Sequence, residues 1–177
     1  MILHVPLRCV ASGLRRIFAY RPLNDVSLKD HSYNAWRTRA LDMANHPFDW
    51  NTWSGLDATE LAQSINDGHV SVPEVMTQFA DAVSIQNPSL NAVIELFDDV
   101  IETPSTSGAN PDGPFYGVPI LIKDMGSRIA GRDQQIGLGF KQPEPAVDDD
   151  PLIENFRQAG FIVCGRTAVP EDGMTLI

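Results

Sequence analysis

The chain has 177 residues, 43% hydrophobic and 20% charged, which excludes general disorder and fits one domain, with or without an arm. Its net charge of −10 and pI near 4.6 disfavour nucleic acid and anionic membranes, because phosphate binding needs clustered Lys and Arg. No apolar run approaches the ~20 residues of a membrane-spanning helix, and the two cysteines, Cys9 and Cys164, lack metal-ligand spacing and fit a reducing compartment, the cytoplasm.

Charge is spread unevenly. Residues 1–24 carry Arg8, Arg15, Arg16 and Arg21 and no acid, a composition compatible with a mitochondrial transit peptide or with an unstructured start. Residues 1–56 are expected to be an amino-terminal extension, with a short helix over 30–44 ended before His46-Pro47. Aromatic residues there, Trp36, Phe48, Trp50 and Trp53 among them, suit packing on a neighbour. His31 and His46 sit in no ligand pattern, and no metal or cofactor is expected.

From Asp57 the pattern sharpens. Asp57 and Glu60 have capping-box spacing ahead of Leu61, Ala62 and Ile65, and Asp67-Gly68 stops that helix. Ser71 and Glu74 repeat the box. Val72, Val75, Met76, Phe79 and Val83 follow at helical spacing, and Asn87-Pro88 is expected to end the helix. Leu90 to Phe97 reads as a strand, Asp98 to Glu102 leaves room for one turn, and 103–114 is a loop by composition.

A turn of Gly and Pro then leads into Val118, Ile120, Leu121 and Ile122, a near-continuous apolar run of the kind a covered parallel strand needs. Lys123 emerges at its carboxyl end, the edge where open α/β sheets bind ligands. The glycine-bearing stretch 126–142 reads as a flexible crossing. Asp148-Asp149-Asp150-Pro151 opens a helix, with Asp150 as N-cap and Leu152, Ile153, Phe156 and Ala159 as its buried face. Gly160 ends it, and Phe161 to Cys164 is a second buried strand, followed by Gly165. Strand, crossing, helix, strand is a βαβ unit, so these strands should be parallel and the crossover right-handed.

Gly117-Val118-Pro119-Ile120-Leu121-Ile122-Lys123-Asp124 closely resembles the G-V-P-hydrophobic-x-[IV]-K-D segment of the amidase signature hydrolases. Residues 159–171 resemble that family's A-G-hydrophobic-G-K-T-N-x-x-E segment, with Arg166 where Lys is usual, Ala168 where Asn is usual, and Glu171 matching. The resemblance covers about residues 57–173. It implies an α/β fold, a partial amidase-signature fold with amino-terminal helices followed by a βαβ unit of a mostly parallel sheet. Residues 57–177 would be the front part of an amidase domain.

In that family the lysine is the base of a Ser–Ser–Lys triad acting on linear carboxamides, so the resemblance makes Lys123 the general base and Asp124 a structural acceptor. Both serines come later in the family, in a Gly/Ser-rich stretch that these 177 residues do not contain. Ser105, Ser107 and Ser127 are available, but Ser127, near Lys123 in sequence, lies in no strained elbow and no oxyanion pattern surrounds it, so replacement is not expected. The expectation is therefore an amidase fragment, inactive alone, with a small-molecule amide as substrate of the full-length parent and a protein partner completing the sheet. The alternative is a non-catalytic assembly subunit, since the family includes the amidotransferase subunit that makes glutaminyl-tRNA. Without the later segments as walls, Lys123 should be exposed.

Overall fold

The computed structural model describes residues 50–142 and 144–174. The transit-like start, the helix over 30–44, His31, His46 and any pairing of Cys9 lie outside the described residues. Helix α1 (Trp50–Gly55) packs Trp53, with Leu56 beyond it, against the core.

Both capping boxes form. The Asp57 carboxylate accepts the N–H groups of Thr59 and Glu60 at 2.8 and 2.9 Å, and Glu60 returns the contact to the Asp57 N–H at 2.9 Å, opening α2 (Ala58–Asn66). Ser71 and Glu74 do the same for α3 (Val72–Leu90). Each cap satisfies donors that a helix start otherwise leaves unpaired.

Helix α3 does not stop at Asn87-Pro88. Pro88 lies inside it, and Asn91, at φ 51°, ends it instead. The physical reason is the Asn87 side chain. Its Oδ1 accepts the N–H groups of Ala92 and Val93, and its Nδ2 donates to the Val93 carbonyl, all at 2.8–2.9 Å. These bonds tie the last turn to the strand that follows, and Pro88 forfeits one backbone donor so near the helix end.

That strand, β1 (Val93–Leu96), is shorter than expected. One helical turn, α4 (Asp98–Glu102), and a 3-10 turn at Pro104–Thr106 come next. Strand β2 (Pro119–Lys123), helix α5 (Pro151–Gln158) and strand β3 (Ile162–Thr167) complete the βαβ unit. β2 and β3 are parallel, as expected, with Ile122 opposite Arg166 and Lys123 opposite Thr167. β1 joins β3 on its other side, antiparallel, so these three strands form a mixed sheet in the order β1-β3-β2.

Two further expectations are corrected. β3 continues through Gly165 to Thr167, because Gly165 faces β1 so closely that a Cβ there would lie 2.3 Å from the Glu95 carbonyl oxygen. In α5 only Ile153 of the expected face is fully buried, while Leu152 is exposed. The core lies between α2–α4, α5 and the sheet. Val75, Met76, Ile153, Ile162 and Cys164 are wholly enclosed there, and each large apolar side chain so placed contributes about 1.5–3 kcal/mol.

Candidate active-site lysine and its buried support

Successive strand residues face opposite ways. At the end of β2 this separates the charged pair: Lys123 is exposed, and Asp124 is 1% exposed. The ladder runs one residue past the strand, where the Asp124 N–H donates to the Thr167 carbonyl at 3.1 Å. Lys123 is therefore fixed at its backbone from both sides while its side chain reaches solvent.

Beneath it sits a charged cluster that the sequence did not announce. Arg166, one residue from the carboxyl end of the central strand β3, is 1% exposed, and its Nε lies 3.8 Å from Asp124 Oδ1. That is an ion pair by distance but not a hydrogen bond. The guanidinium also approaches the Ser127 carbonyl at 3.4 Å. Burial pushes the Asp124 carboxyl above the usual carboxylate range, opposed by the Gln135 N–H and by Arg166. Burial likewise pulls the Arg166 guanidinium down, opposed by Asp124, Glu95 and Asp133. An arginine keeps its proton under such pressure, so the cluster holds a permanent buried positive charge among carboxylates.

The stretch 126–142 is more ordered than its glycines suggest. The Arg128 N–H and guanidinium both donate to Asp150, at 2.8–3.1 Å, and hold its carboxyl below the usual range. The Ala130 N–H donates to Asp149, which also accepts from Arg157 at 2.6 Å. Asp150 occupies the N-cap position of α5 without capping it, because its oxygens serve Arg128. Two of the acids that open the helix, Asp149 and Asp150, thus also fasten the crossing to the start of α5. A parallel bridge between Ala130 and Ala146 adds to this.

Ser105 is exposed, Ser107 is buried with its Oγ accepting the Ala109 N–H, and Ser127 is buried with its carbonyl facing Gln134 and Arg166. An open cavity of about 360 Å³ lies elsewhere, lined by Phe97, Asp99, Ser107, Ile129, Arg132 and Arg157. Its two arginines are already paired, Arg132 with Asp99 and Arg157 with Asp149. Among the described residues there is no group of three potential metal ligands, and no helix is long and apolar enough to cross a membrane.

The resemblance pointed to Lys123 as the candidate base and to Asp124 as an acceptor, which it is for Gln135, but the burial of Arg166 was missed. The available signal was the strand itself: a charged residue within an apolar run flanked by Gly165 and Thr167.

The family model described as Amidase matches residues 74–176. A lipoamidase of Enterococcus faecalis is 32% identical over 116 residues, covering 66% of this chain and 16% of that protein. An acylamidase of Rhodococcus erythropolis is 30% identical over 125 residues, covering 67% of this chain and 26% of that protein. A solved 6-aminohexanoate cyclic dimer hydrolase superposes with a TM-score of 0.57 at 29% identity, over 66% of this chain and 24% of the other. The chain thus spans between about a sixth and a quarter of the length of these relatives. With its family segment on β2 and its α/β fold shared with these enzymes, the chain belongs to the amidase signature family.

Proposed function

We propose that residues 57–177 are the lysine-bearing part of an amidase domain, that 1–56 are an extension of it, and that Lys123 is its general base. The observation that carries this reading is the placement of Lys123. The family segment ends at the carboxyl edge of β2, with the lysine facing solvent and its neighbour Asp124 buried.

The reaction would be hydrolysis of a small carboxamide to a carboxylic acid and an amine. A serine attacks the carbonyl, a second serine passes its proton to the neutral lysine, and the proton goes on to the leaving amine. Water then resolves the acyl-enzyme. Both serines would come from amidase sequence outside these 177 residues. A lysine in water is protonated near pH 7, and bringing it to the neutral form costs about 4.6 kcal/mol unless burial lowers its pKa. The same outside sequence would therefore supply the walls around Lys123 and the strand that continues the sheet.

The test is to continue the reading frame past the codon for Ile177, express the product and assay a panel of simple amides. Lys123→Ala should lower kcat/KM by about 10²–10⁴-fold, the range for loss of a general base. Hydrolysis unchanged by that substitution would overturn the assignment.

A further inference from the structure

Asp124 faces a turn as well as an arginine. Its Oδ1 accepts the Gln135 N–H at 3.2 Å, eleven residues along the chain. The peptide N–H groups of Ile136 and Gly137 also favour the charged form of this carboxylate, but the Gln135 N–H is the one hydrogen bond from the turn, and Oδ2 is buried without a partner. The backbone there is unusual. Ile136 has φ 51°, a left-handed conformation that a β-branched residue adopts only when its surroundings impose it.

The other side of the turn is gripped by the segment after β3. The Ile136 carbonyl accepts the Asp172 N–H at 3.0 Å. A Cβ on Gly137 would lie 2.8 Å from the Val169 carbonyl oxygen. The turn is thus held between the buried carboxylate and the tail of the chain, against the strand end from which Lys123 emerges.

We propose that Asp124, backed by Arg166, is a positioning residue that docks the Gln135–Gly137 turn at the strand end from which Lys123 emerges and so fixes the 126–142 crossing there. What that placement means for catalysis rests on the reading of Lys123 as the base, but the docking itself does not. Arg166 supplies a buried counter-charge that keeps Asp124 an acceptor, and Asp124 supplies the anion that the strained turn needs.

Amide hydrogen exchange on the complete chain tests the docking without any activity assay. Asp124→Ala alone would strand the Arg166 charge and could unfold the chain, so the main variant is Asp124→Ala with Arg166→Met, which removes both charges together. The Gln135 amide should then exchange about tenfold faster or more, as loss of a hydrogen bond to a charged group implies, and those of Ile136 and Gly137 should rise with it as the turn lifts, while those of Val163 and Cys164 hardly change. Asp124→Asn with Arg166→Met keeps an oxygen acceptor and should recover part of the protection. Turn amides that stay protected in the first variant, a uniform loss across the chain, or no recovery with asparagine would each overturn the proposal. Failure of the Lys123→Ala assay with these exchange results intact would discard the base and keep the docked turn.

Discussion

At the scale of the residue, burial decides chemistry. Cys164 sits on β3 with no exposed surface, its Sγ 3.6 Å from Met76 Sδ, and burial pushes its thiol up to about 12. The unfolded thiol titrates lower, so between about pH 9 and 12 the folded chain keeps a proton that the unfolded chain has released. This contribution to stability is complete below about pH 9 and is lost as pH rises through that window, at up to about 1.4 kcal/mol per unit. Denaturant titrations at pH 8.5 and 10.5 should show a larger fall for the wild type than for Cys164→Ala, by about 2 kcal/mol. In a Cys9→Ser background, alkylation at pH 8.5 should be slow until denaturant opens the fold. Equal pH sensitivity of the two proteins would mean that the thiol is wet. The sequence placed Cys164 on a buried strand but did not show what encloses its thiol. That enclosure comes from Met76, 88 positions away, and from helices that local pattern cannot position.

At the scale of the element, local signals were legible where the physics is local. The two capping boxes and the Asp67-Gly68 stop follow from residues within a few positions of one another, and the parallel β2–β3 pair from the order strand, crossing, helix, strand. The misread boundaries are those set by distant partners. Asn87 keeps α3 going because its side chain binds β1, and Gly165 is a strand residue because β1 needs the space. Asp149 and Asp150 look like helix-start acids until Arg128 and Ala130 arrive from the crossing. Gly165→Ala tests this account of β3. The added carbon would meet the Glu95 carbonyl and the Leu96 backbone, neither of which can swing aside as a side chain would. Overpacking typically costs 1–3 kcal/mol, and this contact should cost about 3 kcal/mol by urea titration. A loss below about 1 kcal/mol would mean that β1 is loosely seated and that Gly165 is incidental.

At the scale of the whole molecule, two tendencies oppose each other. Among the described residues, β2 and β1 each pair only with β3, so both outer edges of the sheet lack a further strand, although the Asn87 side chain already occupies Val93 on β1. Open edges invite pairing with another chain. Exposed Phe140, Val147 and Met174 add apolar surface near the lysine-bearing half. Against this stands a net charge of −10, which keeps copies apart. The repulsion is the salt-sensitive term, since the Debye length falls from about 30 Å at 0.01 M to about 3 Å at 1 M. Edge pairing and apolar contact are not screened in this way. Association should therefore rise with salt: light scattering should give the monomer mass at 10 mM and a concentration-dependent increase at 0.5–1 M. Placing a lysine at Leu121, on the open edge of β2, should suppress that increase, because charged side chains on edges block strand addition. If association instead weakened as salt rose, attraction between charged patches would be its cause, and the open edge would not be what holds the copies together.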